Sequence, residues 1–415
     1  MTAPVKGRSH AESASYVLRV GLFGNHGMQN IGNDASLEAM LRYLREAFPD
    51  ATVDSMCFGP EIVQSRFGIA AVPINWYQKF DAKSRHVTLA LRVMSKGVDF
   101  FRAAAWVRRH DVIIVPGTGV LETSLPFRAW GFPYSFFLVS AWGRVFRKKV
   151  ALVCVGATPT KQRAIRWLDN RVARFAYYRS YRDDESREFI RQRGIDTTRD
   201  AVYADLVFSL PVRADVLGDD RVVCVGVMDY RGSGDDRQIA MDLHRAYIAD
   251  MALFVGWLVD GGRHVRLVIG DANGSDDSAL EEIVAEVRAA RPGLAPGCPE
   301  IHPVTTFDDI LDAMRTAGTV VAMRYHNIVA ALMLAKPTIA VGYSYKQTSL
   351  MTDAGLGEYS MPARGLNLGD LTKKFTELES RAPELREMLL GYKAMTEKLL
   401  SEQFTELSAG LFGQG

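Results

Sequence analysis

The chain has 415 residues, 48% hydrophobic and 24% charged, with 50 lysines and arginines against 48 aspartates and glutamates. One hydrophobic core rarely grows to this length, so two domains are expected. A net charge of +2 carries no concentrated basic signature, and nucleic acid is not an expected partner.

The four cysteines, Cys57, Cys154, Cys224 and Cys298, are scattered without a C-x-x-C pair. They read as small buried hydrophobes in a reducing compartment, not as a zinc site or a disulfide frame. The opening MTAPVKGRSHAESAS lacks the apolar run of a signal peptide, and no later run reaches the ~18 apolar residues of a membrane span. A cytoplasmic location and a flexible tail over residues 1–14 are the expectations.

Short β-rich runs then alternate with helical stretches. Residues 16–24 (YVLRVGLFG) predict a strand, and 32–48 a helix with Leu37, Met40, Leu41 and Leu44 on one face. Strands follow at 52–58, 111–116 (DVIIVP) and 150–156 (VALVCVG). The last two are almost wholly apolar, as strands covered on both faces should be. Residues 163–179 and 184–194 predict helices, and 201–210 a strand. A polar stretch at 211–220 separates this series from a second one. There the strands are 221–227, 264–270, 319–323 and 337–341, and the helices 238–260, 275–290, 306–316 and 327–335, before a helical tail at 371–411. Such alternation means βαβ units and parallel sheets. The expected fold is α/β: two Rossmann-like domains, 15–212 and 213–368, facing each other across a cleft, then helices at 369–415.

Ligands of open parallel sheets bind beyond the carboxyl ends of the strands, so the loops after each strand are where chemistry should lie. The first reads Gly24-Asn25-His26-Gly27-Met28-Gln29-Asn30-Ile31-Gly32-Asn33-Asp34. Gly27 and Gly32 allow close backbone approach, and a helix starts there with free amide groups, which suits an anionic or polyhydroxy ligand. It is not G-x-G-x-x-G, and a turn capped by Asn and Asp explains it equally well. Two more small-residue loops follow at Pro116-Gly117-Thr118-Gly119 and Gly156-Ala157-Thr158-Pro159. Asp183 can cap the helix after Ser180-Tyr181-Arg182, while Arg182 either faces the cleft or makes a surface ion pair.

In the second half Arg231 follows the first strand. Met323-Arg324-Tyr325-His326-Asn327 puts a fixed cation and an imidazole at the start of a helix, where amide groups favour an anion. Gly342-Tyr343-Ser344-Tyr345-Lys346 adds a lysine in the next loop. Three cations and a histidine after strands predict a pocket for a small ligand carrying carboxylate and phosphate.

These motifs, in this order from about Val20 to Leu356, resemble the polysaccharide pyruvyl transferase family. They include Asn30–Asp34, the two small-residue loops, Arg182-Asp183, Ala204-Asp205-Leu206-Val207-Phe208, Met323–His326 and Tyr343–Lys346. The first loop and the Thr118 loop depart from the family's usual glycine pattern, both in the N-terminal half. The resemblance implies a fold similar to GT-B glycosyltransferases, and transfer of the enolpyruvyl unit of phosphoenolpyruvate to a sugar of a polysaccharide or glycolipid, with phosphoenolpyruvate as co-substrate and no cofactor or metal. It places the donor on Arg231, Arg324, Tyr325, His326 and Lys346, with His326 and Arg324 catalytic and His326 either proton donor or base. It places the acceptor near Asn25, His26, Asn30, Asp34, Thr118, Glu122 and Arg182. The rival functions are a nucleotide-sugar glycosyltransferase, which needs an acidic residue for the ribose where the key C-terminal loops show Arg, His and Lys, and a non-catalytic sugar-binding protein of the same fold.

One stretch stands apart. Residues 86–109 (HVTLALRVMSKGVDFFRAAAWVRR) are apolar with interspersed bases. They predict an amphipathic helix packed on the sheet, or a peripheral contact with an anionic membrane face.

Overall fold

The computed structural model describes residues 17–76, 85–122, 129–160, 162–213, 218–272 and 274–413; the expected tail at 1–14 lies outside them. Two parallel sheets organise the chain. The first contains β1 (Arg19–Gly24), β2 (Thr52–Cys57), β3 (Ala70–Pro73), β4 (Val112–Pro116), β5 (Lys149–Val155), β6 (Tyr178–Tyr181) and β7 (Ala201–Val202). Their spatial order is β3-β2-β1-β4-β5-β6-β7. Its helices are α1 (Ile31–Ala47), α2 (Pro60–Phe67), α3 (Arg85–Arg109), α4 (Phe132–Val145), α5 (Arg163–Phe175) and α6 (Asp184–Gln192).

The second sheet contains β8 (Asp219–Gly226), β9 (His264–Val268), β10 (Glu300–Ile301), β11 (Ala317–Ala322), β12 (Thr338–Gly342) and β13 (Ser360–Pro362), in the order β10-β9-β8-β11-β12-β13. It carries α7 (Ala240–Asp260), α8 (Ser275–Ala290), α9 (Phe307–Arg315), α10 (Tyr325–Met333), α11 (Tyr345–Asp353) and α12 (Leu368–Ser380). The central strands β4 and β11 are buried along their whole length, which is why they read as unbroken apolar runs. In each sheet the strand order reverses beside the first strand, between β1 and β4 and between β8 and β11. Those switch points are where loops part and leave room for a ligand.

Two expectations fail in detail. The helix expected over 163–179 stops at Phe175, and the chain re-enters the sheet as β6. The strand expected over 201–210 pairs only at Ala201–Val202. Asp205 then accepts the Val207 N–H at 3.1 Å and turns Leu206–Ser209 into a short 3-10 helix.

The last helix, α13 (Ala382–Phe412), ties the halves together. Near its start Arg386 meets Asp220, at the beginning of β8. Toward its end Phe404 stacks on Tyr43 of α1 at 4.5 Å, and Gln403 bonds both the Cys154 thiol and the Ser180 hydroxyl inside the first sheet. One apolar core therefore runs through both halves. Cys57, Cys154 and Cys224 are free and buried in strands, in line with their reading as small hydrophobes.

Candidate active site

The buried strand β11 delivers Met323 and Arg324 to the cleft, and Arg324 is the N-cap residue of α10, whose first turn has no side-chain cap. The Arg324 guanidinium is gripped bidentately by Asp276, at 2.8 and 2.6 Å, with its Nη1 3.8 Å from Asp271. Asp276 is fully buried in the first turn of α8 and also accepts the Asp229 N–H at 3.0 Å. Burial works against the charge of Arg324, but these carboxylates outweigh it and raise its pKa.

Arg231 does not join this group. It is exposed, donates to Asp229 at 2.8 Å and lies against the Met241 Sδ, so the expected convergence of Arg231, Arg324 and Lys346 on one guest is corrected. The bond to Asp229, two residues back in the same loop, holds its side chain locally.

A second cluster spans the cleft. Lys346, in the first turn of α11, lies 3.4 Å from Glu122, which follows β4 in the other half. Glu122 also pairs with Arg182, which lies 3.4 Å from Asp205 and 3.6 Å from Asp183. All four of these N-terminal-half side chains are buried. Burial alone would raise the Glu122 pKa, but the Lys346 and Arg182 cations hold it below its usual range. The Arg182 guanidinium sits over the ring of buried Tyr325 at 4.6 Å, and Lys346 is 5.8 Å from the same ring. Nearby, the Tyr345 hydroxyl donates to the Ala157 carbonyl at 2.7 Å.

Glycines make this closeness possible. A Cβ on Gly119 would meet the Glu122 carboxyl carbon at 2.4 Å, and one on Gly156 would meet Glu122 Oε1 at 2.5 Å. The interposed Thr118 adopts a left-handed φ of 62°, and its carbonyl accepts the Gly156 N–H.

His326 lies in the same place. Its ring packs on Gly32 of α1, where a Cβ would come within 1.8 Å of Nδ1. The close approach foreseen at Gly32 is thus used by an imidazole from the opposite half. His326 Nε2 is shielded from solvent and has no hydrogen-bond partner among the described residues. Burial pushes its pKa down to about 4, with Asp205 and Glu122 acting against that and Arg182 and Lys346 with it. The ring is neutral at pH 7.

Residues 30–345 match the family model described as polysaccharide pyruvyl transferase, well over half of the chain. The chain belongs to the polysaccharide pyruvyl transferase family. The sequence has no significant match among curated proteins. Among solved structures it is similar to a putative UDP-N-acetylglucosamine 2-epimerase from Listeria monocytogenes, with a TM-score of 0.61 and 13% identity over 96% of this chain and 98% of that one. It is also similar to the glycosyltransferase SnogD from Streptomyces nogalater, with a TM-score of 0.56 and 13% identity over 95% and 100%. These likenesses carry the fold alone, a GT-B-like pair of parallel sheets.

In this pyruvyl transferase most of the expected acceptor residues hold loops. Asp34 is buried, accepts the Gly27 N–H at 2.8 Å and lies 3.6 Å from Arg66. Asn30 caps α1 through the Asn33 N–H at 3.1 Å and reaches across to Asp271 at 3.3 Å. The Asn25 carbonyl receives the Asn33 amide. Thr118 is buried, and His26 is fully buried with neither ring nitrogen bonded among the described residues; burial pushes its pKa down to about 3. Asp34, His26 and Thr118 are thus buried side chains in this structure. Glu122 and Arg182 stand with Lys346, and the surface ion pair considered for Arg182 gives way to a buried network.

The carboxylates were the missed part. Asp271 and Asp276 bring acids to a cleft where the key loops show only bases, because they arrive after β9 and in α8, with Asp276 meeting Arg324 from 48 residues away. Asp205 lay inside a motif segment, but its partner Arg182 follows a different strand, β6. Among the described residues, no group of three or more potential ligands is placed to hold a metal ion. A cavity of about 620 Å³ lies apart from this cluster, between α1, α9 and residues 210–213.

Proposed function

We propose that this pyruvyl transferase moves the enolpyruvyl unit of phosphoenolpyruvate onto two hydroxyls of one sugar in a polysaccharide or glycolipid, giving a pyruvate ketal and phosphate. The methylene carbon of the donor gains a proton, a sugar oxygen bonds to the central carbon, the C–O bond to phosphate breaks, and the second hydroxyl closes the ketal. The diol loses two protons; one ends on the new methyl group and the other on phosphate.

The observation that carries this reading is the unbonded Nε2 of a neutral His326 beside Lys346 and Arg182 at the uncapped start of α10. A neutral imidazole accepts a proton from the attacking hydroxyl, and the carboxylates of Glu122 and Asp205 favour the imidazolium so formed. That ion can hand its proton to the methylene carbon. Lys346 and Arg182, with the amide groups of α10, supply the positive surface for carboxylate and phosphate. Arg324, fixed by Asp276, lines the other side.

The test is incubation of the purified enzyme with phosphoenolpyruvate and a panel of glycans and glycolipids. The expected result is phosphate release matched by the mass gain of a pyruvate ketal. Thermal stabilisation by nucleotide sugars and none by phosphoenolpyruvate would replace this reading with a glycosyltransferase.

A further inference from the structure

We propose that the outer face of α3, α4 and α5 docks on the surface of an anionic phospholipid bilayer. The three helices lie side by side over one face of the first sheet, and aromatic contacts join them into one layer. Phe100 of α3 meets Trp142 of α4 at 4.8 Å, Trp142 stacks on Phe146 at 5.1 Å, and Phe137 of α4 meets Trp167 of α5 at 5.5 Å. Beyond this layer large apolar side chains stand in solvent: Phe101 is 71% exposed and Trp130 69%, with Met94, Val145 and Trp167 also exposed. Single exposed hydrophobes are ordinary, but several on one helical face mark a contact surface.

The charge on this face has one sign. Arg108, Arg109, Arg144, Arg166, Arg171 and Arg174 are exposed on the three helices. Across 94–109, 132–145 and 163–175 the acids are Asp99 and Asp169, and both are buried. Asp99 takes the Trp76 N–H at 2.8 Å and Lys96 at 3.3 Å, and Asp169 lies 3.7 Å from Arg193. In a chain whose charges sum to +2 this is local segregation. A protein partner is matched by mixed charge and shaped pockets, whereas a flat face of Trp, Phe and Arg without exposed carboxylate matches lipid headgroups over acyl chains. Among the described residues no helix is long and apolar enough to cross a membrane, so the contact is peripheral.

The face runs the length of the helices. In βα units the helix starts at the carboxyl end of the preceding strand, so the starts of α4 and α5 lie at the cleft end of the sheet. Trp130, two residues before α4, lies at that end, whereas Arg108, Arg109, Arg144 and Arg174 stand in the last turns of their helices, at the opposite end. Docking along this face lays the outer helices of the N-terminal half on the bilayer; access to a lipid-linked acceptor from there rests on the sugar-acceptor reading, but the docking does not.

The experiment is co-sedimentation of the full chain with vesicles of phosphatidylcholine alone and of phosphatidylcholine with one part in three phosphatidylglycerol. Partition is expected to be about tenfold higher on the anionic vesicles and to fall with added salt. Phe101→Asp with Trp130→Asp should lower it about tenfold, and Arg166→Glu with Arg171→Glu comparably, with melting temperatures unchanged because all four side chains are exposed. No partition to anionic vesicles, or equal partition by both double variants, overturns the proposal. So does a dimer in sedimentation velocity that the Phe101/Trp130 variant dissociates, since a second copy would then cover the face.

Discussion

Two arginines face the cleft under different constraints. Arg324 and its partner Asp276 both belong to the C-terminal half, so their pair persists whatever the two halves do. Arg182 and Lys346 come from opposite halves and share Glu122, so part of that cluster exists only while the cleft is closed. The first arrangement is a fixed ion pair. The second is a junction in which one carboxylate, Glu122, holds cations from both halves. His326, the proposed base, is at the junction, pressed on Gly32 of the other half.

The largest expected effect follows directly. His326→Ala should lower kcat by roughly 10²–10⁴-fold, the usual worth of a positioned acid or base, while the donor affinity stays within about threefold. Steady-state rates and calorimetric Kd values separate the two. A variant with near-normal kcat would move the chemistry away from the junction.

Next in size is stability. Arg182→Ala leaves Glu122, Asp183 and Asp205 buried without their guanidinium and should cost ~3–5 kcal/mol in urea unfolding. Arg231→Ala, at an exposed pair, should stay within ~0.5 kcal/mol. Equal effects would mean that the junction is not a buried network.

The order of these effects could not be read from the chain. Apolar runs such as DVIIVP announce central strands because both faces are covered, and the Arg324/His326 pair is visible as polar chemistry at the end of such a run. Arg182 read as either a cleft residue or a surface ion pair, because its three carboxylates lie on β4's loop, on its own neighbour and after β7. The pairing of Asp276 with Arg324 spans two βα units and has no local signature. The short edge strands β3, β10 and β13 and the helices α2, α4 and α11 also went unforeseen; edge strands are set by neighbours, and α4 is so apolar that its helical period is masked. Gly32 was correctly singled out for close approach, but the group that approaches is a tertiary fact.

Acid sensitivity gives a smaller, graded effect. His26 and His326 titrate near 3 and 4 in the fold and near 6.5 when unfolded, so between those limits the unfolded chain binds protons that the native state refuses. Each then removes about 1.4 kcal/mol of stability per pH unit as pH falls below 6.5, until its folded pKa is reached. Because carboxylates such as Asp169, raised to about 7 by burial, act in the opposite direction, the readout is a difference. His26→Phe should show a shallower loss of unfolding free energy between pH 6 and 4 than the parent, by the worth of one proton. Parallel curves would mean that the buried ring is already charged or is reached by water.

The smallest effect bears most directly on the contrast between the two arginines. If Glu122 occupies the cations that a donor anion needs, it competes with the donor, and its removal should tighten binding. Glu122→Gln keeps the shape and removes the charge, so the affinity for phosphoenolpyruvate should rise about tenfold, or ~1.4 kcal/mol. The ligand-free enzyme should open at the same time, because Lys346 loses its partner across the cleft, and limited proteolysis should quicken. Asp276→Asn makes the opposite change at the fixed pair: Arg324 loses the bidentate grip that aims it, no competing carboxylate leaves the donor's path, and affinity should fall. If both variants weaken binding alike, Glu122 aims Arg182 and Lys346 as Asp276 aims Arg324, and the junction is as permanent as the pair it was contrasted with.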